Sequence, residues 1–322
     1  MKKILLITTG GTIACVASDN GLKPGQDGKS ILAGIEDKAC KIDICDLLSL
    51  DSTNIGPKEW IKIATAVYQK LDDYDGIVIS HGTDTMAYTA AALYYMFPNP
   101  LKPVVLTGSQ LPMGEPGGDA EGNLKSAIAV AMEDTAGIFV CFAGRIIFGD
   151  CAKKTHSKEF AAFESIGRDY AGSVQDGRVT WNRLDSQSDD CKEENNARML
   201  VDITQIRFDE KVFCIKLLPG MDGAIIDAMV SLGYHGIILE AFGSGNVPNL
   251  NGNLFESIKK AITKGVQIAI ISQCTYDGTD LSIYEMGKQA LELQVVDAKK
   301  MTVEALSVKM MYKLGMLNGN EN

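Results

Sequence analysis

Histidine is scarce in this chain, with 3 in 322 residues, and so is tryptophan, with 2. The three histidines, His81, His156 and His235, are dispersed, and no serine stands in a GxSxG turn. A Ser–His–Asp triad around His81 would need a serine and an acid placed beside it, and its nucleophile elbow is absent. Neither GxGxxG nor the glycine–lysine signature of a P-loop occurs, so dinucleotide and nucleoside-triphosphate readings lack their fingerprints. The 8 cysteines are scattered without a CxxC pair. That pattern predicts reduced thiols and no zinc site, and nothing else is spaced as metal ligands or calls for a cofactor. No apolar run approaches the ~20 residues of a membrane span. Positive charge is also short: Lys and Arg number 31 against 41 Asp and Glu, a formal net charge of −10, which argues against nucleic acid or an anionic membrane as partner. Lys2-Lys3 and the apolar residues behind them imitate a leader, but the run ends at Thr8, too short for one, and the expectation is a cytoplasmic protein.

What the chain does have is an organising stretch at its start. Ile4-Leu5-Leu6-Ile7 reads as a strand buried on both faces of a parallel sheet, and it breaks into Gly10-Gly11 with Thr12 at the turn. Glycine there permits a tight turn and a ligand's close approach to main-chain N–H groups. Thr12 alone could equally be a helix cap. The pattern then recurs. A strand ends near Leu50 and is followed by Asp51-Ser52-Thr53; Gly76–Ser80 breaks into His81-Gly82-Thr83-Asp84; Pro103–Thr107 breaks into Gly108-Ser109-Gln110. Helices fall between them, with Pro57 suited to a first helical position. In a parallel sheet these four strand ends share one edge, where open α/β sheets place their ligands. Four hydroxyl- or carboxylate-bearing turns at one edge are harder to explain as capping than one.

The remaining chain is read more coarsely. Residues 15–34 are polar and Gly/Asp-rich, which predicts a mobile loop and a natural lid. Residues 145–182 read as a hairpin-bearing excursion containing Lys153-Lys154. Ser/Asp/Glu/Asn-rich sequence marks a linker over 185–205, separating an N-terminal catalytic α/β domain (1–184) from a smaller C-terminal α/β domain (206–322). With no suitable histidine, a threonine nucleophile would need another base, and a lysine can serve. Lys154 is a candidate by position, though a solvated surface lysine reads the same way. His81 is given a structural role, positioning the turn after it. Cys15, close to Thr12, reads as a small buried apolar residue. The residues alone thus give an acyl- or carbonyl-directed site and no substrate.

Thr9-Gly10-Gly11-Thr12-Ile13-Ala14 and His81-Gly82-Thr83-Asp84-Thr85-Met86, about seventy residues apart, resemble the two signature segments of the bacterial-type L-asparaginase family. The likeness runs on through Thr107-Gly108-Ser109-Gln110 into the C-terminal half, and it looks like the cytoplasmic (type I) branch. The resemblance implies a larger N-terminal parallel-sheet domain with a smaller C-terminal α/β domain. It also implies an enzyme that hydrolyses asparagine to aspartate and ammonia through a threonine-linked acyl-enzyme. It assigns Thr12 as nucleophile and Thr83, Asp84 and Lys154 as the second catalytic group. Asp84 would also receive the substrate α-ammonium, Asp51, Ser52 and Thr53 the α-carboxylate, and Ser109 would line the amide pocket. The family also implies a homodimer or homotetramer in which one subunit's C-terminal domain completes its neighbour's site. One departure stands out: many members carry a tyrosine in the loop after the glycine turn, and here Leu22 stands near that position. Either another tyrosine replaces it, with Tyr276 reaching across a subunit interface as the candidate, or the Lys154 group does more of the activation.

Three rivals remain. An amidotransferase subunit acting on mischarged glutamyl-tRNA shares both segments but carries an extra N-terminal domain, whereas here the first strand begins at residue 4. A glutaminase differs by one methylene in the substrate, which pockets discriminate by roughly 1–3 kcal/mol. A non-catalytic amino-acid sensor would not require the lysine.

Overall fold

In a computed structural model the described residues are 1–18, 21–35, 39–182, 202–250 and 254–318. They divide into two compact units, Met1–Thr204 and Gln205–Asn322. Residues 183–201, which include most of the expected linker over 185–205, lie outside the described residues; at its end Ile203–Gln205 form one turn of 3-10 helix.

The N-terminal unit is built on an eight-stranded sheet. Its elements run β1 (Lys2–Gly10), the short pair β2 (Cys15–Ser18) and β3 (Gly21–Pro24), α1 (Gly28–Leu32), β4 (Cys40–Leu50), α2 (Pro57–Lys70), β5 (Gly76–Ser80), α3 (Met86–Met96), β6 (Pro103–Thr107), α4 (Ala120–Ala131) and β7 (Gly137–Phe142). Then come β8 (Arg145–Phe148), β9 (Ala152–Lys154), β10 (Phe163–Ser165), β11 (Gly172–Gln175) and β12 (Arg178–Trp181). The sheet order is β12-β11-β8-β7-β6-β5-β1-β4. From β4 through β7 every pairing is parallel, so the ends of β1, β4, β5 and β6 do lie on one edge.

The two faces explain the unbroken apolar runs. Ile4, Leu6, Val78, Val105 and Phe139 form one cluster with Ile31 of α1 and Leu124, Ala127 and Ile128 of α4. The alternate residues Leu5, Ile7, Ile77, Ile79, Val104 and Leu106 are equally buried, and α3, with α2 packed beside it, lies against β6 and β7. Strands buried on both faces have no polar positions to alternate with. Pro57 does open α2, and Glu59 Oε2 accepts from Gly56 N at 3.1 Å to satisfy a donor ahead of the first turn.

Two regions depart from the sequence-based expectation. The polar stretch after Thr12 is not a structureless lid: β2 pairs antiparallel with β3, and α1 follows. Main-chain bonds from Gly25 and Gln26 to Ala14 O, both 2.9 Å, and Asp46 Oδ1 accepting from Gly28 N and Thr8 Oγ1, both 2.8 Å, fasten this segment to the sheet. The excursion over 145–182 carries the expected hairpin, β11 with β12, but β8, β11 and β12 belong to the main sheet by antiparallel pairing, while β9 and β10 form a separate two-stranded ladder.

The C-terminal unit holds a four-stranded parallel sheet of β13 (Val212–Lys216), β14 (Gly236–Ala241), β15 (Gln267–Ser272) and β16 (Val296–Asp297). Between these strands lie α5 (Ala224–Ser231), α6 (Leu254–Thr263) and α7 (Glu285–Glu292), and α8 (Val303–Asn318) closes the unit. Ile226 and Ile258 pack on the face made by Ile215, Ile237, Leu239 and Ile268, and Leu306, Met310 and Leu314 on the face made by Ile238, Ala269 and Ile271. No helix among the described residues is long and apolar enough to cross a membrane.

Candidate active site

Glycine packing assembles the site. Gly10 and Gly11 sit at φ +99° and +79°, a region side chains rarely adopt. A Cβ on Gly10 would stand 2.4 Å from Leu50 O, at the end of β4; one on Gly11 would stand 2.3 Å from both N and Cα of Gly82, just after β5. A Cβ on Gly82 would reach Ser52 Oγ at 2.6 Å, and one on Gly108 would reach His81 O at 2.2 Å. Four turns are therefore packed tightly together, and Thr12, Ser52, Thr83 and Ser109 each belong to or adjoin one of these contacts. Gly11 N donating to Leu50 O at 3.0 Å and Thr85 Oγ1 donating to Ser52 O at 2.6 Å tie the turns further.

Thr12 opens a single 3-10 turn, Thr12–Ala14, and is half-buried. Among the described residues its hydroxyl makes no hydrogen bond. Cys15 is a poor rival nucleophile. Burial, with a smaller contribution from the Asp51 charge, raises its thiol pKa, and its Sγ donates to Gly11 O at 3.3 Å.

Lys154, at the end of β9, gathers the second group. Its Nζ donates to Thr83 Oγ1 at 2.7 Å and to Asp84 Oδ1 at 2.6 Å. The ammonium side chain is 17% exposed and the Asp84 carboxylate 61%, so the cation is sheltered while its carboxylate faces outward. The pairing of Lys154 with Phe163, which packs on Phe142 with ring centres 5.0 Å apart, sets β9 against the sheet.

Asp51 behaves as a turn residue. Its Oδ1 accepts from Thr53 N at 2.9 Å and Thr53 Oγ1 at 2.8 Å, and these bonds, the main-chain one first, hold its carboxyl below the usual range. Ser52 is buried, and Thr53 is exposed. Ser109 is buried and donates to Leu111 O at 2.5 Å.

His81 is a strut. It is fully buried, and desolvation drives its pKa down to about 4. Its Nδ1 lies 2.7 Å from Gly82 O, which can only accept, so Nδ1 carries the proton and Nε2 accepts from Thr89 Oγ1 at 2.9 Å. The neutral ring thus fixes the turn that leads to Thr83.

Two residues that sequence reasoning missed brace the fourth turn. The Asp119 carboxylate takes Gln110 N at 3.0 Å and Leu111 N at 3.1 Å, and buried Asn123 joins Gly108 O, at 3.0 Å, to Ala143 N, at 2.9 Å. Asp119 stands in the N-cap position of α4, but its side chain caps the neighbouring turn rather than the helix, and no local pattern announces that. An open cavity of about 570 Å³, lined by Val16, Gln26, Ser30 and Met113 among others, contains none of the candidate residues. Among the described residues no group of His, Cys, Asp and Glu could hold a metal ion. Tyr276 belongs to the other unit, where it is 63% exposed in the segment after β15. The backbone of Leu22 pairs with Ala17 in the β2–β3 ladder.

Comparison with known proteins bears on this arrangement. A family model described as Asparaginase, N-terminal matches residues 3–187, and one described as Glutaminase/Asparaginase C-terminal domain matches 211–322. The chain is 39% identical to an L-asparaginase of Thermococcus kodakarensis, over 97% of this chain and 93% of that one. It is also 34% identical to a glutamyl-tRNA(Gln) amidotransferase subunit of Pyrococcus furiosus, over 99% of this chain and 73% of that one. Among solved structures, the thermostable L-asparaginase from Thermococcus kodakarensis superposes with a TM-score of 0.88 at 37% identity, covering 99% of this chain and 96% of that one. L-asparaginase I from Vibrio cholerae does so at 0.82 and 28%, covering 97% and 92%.

Proposed function

The chain belongs to the asparaginase family, and we propose that within it the chain is an L-asparagine amidohydrolase with Thr12 as nucleophile. The observation that carries the reading is the group formed by Lys154 with Thr83 and Asp84, at 2.7 and 2.6 Å, on the turn whose Gly82 abuts Gly11. A hydroxyl is a weak nucleophile unless a neighbouring group manages its proton, and a binding crevice alone would need no such lysine.

In this reading the substrate α-ammonium meets Asp84, and its α-carboxylate meets Asp51, Ser52 and Thr53 through hydroxyl and main-chain donors. The side-chain amide then lies in the pocket that Ser109 lines. Thr12 Oγ attacks the amide carbon, main-chain N–H groups of the turn stabilise the oxyanion, and the hydroxyl proton leaves with ammonia. The product is a β-aspartyl ester on Thr12. Water then cleaves the ester, giving aspartate and restoring the hydroxyl. Lys154 and Thr83 serve the proton transfers. A cytoplasmic homodimer or homotetramer in which Tyr276 of a second copy supplies the absent loop tyrosine belongs to the same proposal.

The amidotransferase reading has its own support in the match to the Pyrococcus furiosus protein, and a glutaminase activity would use the same groups. Ammonia release measured with asparagine, with glutamine and without substrate separates an asparaginase from a glutaminase, and either from a non-catalytic sensor. Thr12→Ala in the same assay tests the nucleophile: the reading expects asparagine to be preferred and the variant to lose at least about 10³-fold in kcat. Glutamine preference with little asparagine turnover would overturn the asparaginase reading.

A further inference from the structure

Thr83 is buried, and its oxygen already accepts from the Lys154 ammonium at 2.7 Å, so its own proton must be placed elsewhere. Its acceptor is Gln110 Oε1, 3.5 Å away. Which end of the Gln110 amide faces Thr83 follows from the other end. Nε2 lies 3.1 Å from the main-chain carbonyl of Glu159, which can only accept, so the NH₂ belongs there and the oxygen points at Thr83. The backbone of Gln110 is fixed as well, because both oxygens of Asp119 take its N–H at 3.0 Å. One residue thus joins the turn after β6, the hydroxyl after β5 and the segment that follows Lys154.

We propose that Gln110 is a positioning residue that parks the Thr83 proton away from Lys154. It keeps an oxygen lone pair on the ammonium and leaves the hydroxyl free to swing when substrate arrives. A bond of 3.5 Å is at the weak limit, so that release costs little. The inference rests on the reading of Thr83 as part of the catalytic group.

The test compares kcat, KM and melting temperature for wild type, Gln110→Met, Gln110→Glu, Thr83→Val and the double variant Thr83→Val with Gln110→Met. Gln110→Met keeps the length and removes the acceptor; it should lower kcat about tenfold with KM within about twofold. Its melting temperature should stay within about 3 °C of wild type. Gln110→Glu keeps an acceptor and loses the donor to Glu159 O, so it should recover most of kcat. In the Thr83→Val background Gln110→Met should cost nothing further. Should Gln110→Met fail to fold, Gln110→Ala carries the same comparison. The inference is overturned by an unchanged kcat, by Gln110→Glu as impaired as Gln110→Met, or by an equal loss in the Thr83→Val background. If Thr83→Val itself keeps wild-type kcat, the underlying reading of the site fails instead.

Discussion

Each unit of this protein contains a lysine–aspartate pair of the same length, and the two pairs are mirror images in exposure. Lys154 and Asp84, at 2.6 Å, place a 17% exposed ammonium against a 61% exposed carboxylate. Lys299 and Asp297, also at 2.6 Å, place a 65% exposed ammonium against a 6% exposed carboxylate. The Asp297 carboxylate is saturated: it accepts from the hydroxyl of Thr279 and from the main-chain N–H groups of Leu281 and Lys299. Burial opposes its ionisation, but Lys299, Thr279 and those N–H groups outweigh that and hold its pKa low. Such a carboxylate staples segments together. In the N-terminal unit the sheltered partner is the cation, it holds a hydroxyl as a second acceptor, and the carboxylate retains open lone pairs. Distance alone does not distinguish a staple from a reactive group; the direction in which the unused valences face does.

The turns at the two sheets repeat the contrast, and the largest expected effect lies there. Gly11→Ala puts a methyl 2.3 Å from the Gly82 backbone at positive φ, and should cost at least about 4 kcal/mol or prevent folding. Gly233, at φ +76° in the C-terminal unit, has nothing within 4 Å, so Gly233→Ala should cost only about 1 kcal/mol. Denaturant unfolding of both measures the difference, and equal losses would break the comparison. Next comes Lys154→Met, which should lower kcat about 10²–10³-fold with the fold intact, while Lys299→Met leaves kcat within about twofold.

A comparable effect, about 3 kcal/mol, belongs to pH. His81 has a folded pKa of about 4, below the ordinary value of 6.5, so the unfolded chain binds its proton first. Stability is full above about 6.5 and falls as pH drops toward 4, where the folded state protonates too. His81→Gln should flatten that window in unfolding experiments. Carboxylates such as Asp297 and Asp51 act lower: their depressed folded values give stability above the ordinary carboxylate pKa that is lost as pH falls below it. Smaller again, Asp297→Ala should destabilise by about 2 kcal/mol by orphaning its donors, whereas Lys299→Met, removing only the exposed partner, should cost less than about 1 kcal/mol.

The sequence made the parallel sheet legible because Ile4–Ile7, Ile77–Ile79 and Val104–Leu106 are buried on both faces and carry the signal in themselves. It concealed β2 and β3, since four-residue strands between glycines, prolines and aspartates leave no hydrophobic period. In α7 only Ala290 is buried, so its apolar stripe is too thin to read, and the two-residue β16 is held by its neighbour alone. Within the site, the four turns could be aligned from sequence because parallel strands share an edge. Lys154 could not be placed that way: a three-residue strand in a separate ladder delivers it, and tertiary pairing with Phe163 aims it. Asp119 and Asn123 were invisible for a related reason, since their hydrogen bonds run to main-chain groups of other turns.

In the proposed reaction one hydroxyl, brought to the sheet edge by glycine packing, carries the acyl group during turnover. Acid-quenching the enzyme during asparagine hydrolysis and mapping the adduct by peptide mass spectrometry tests it most directly. The expected result is an aspartyl ester on the peptide containing Thr12, lost on treatment with hydroxylamine and absent from Thr12→Ala. An adduct on any other side chain, or ammonia release at the wild-type rate from Thr12→Ala, would contradict it.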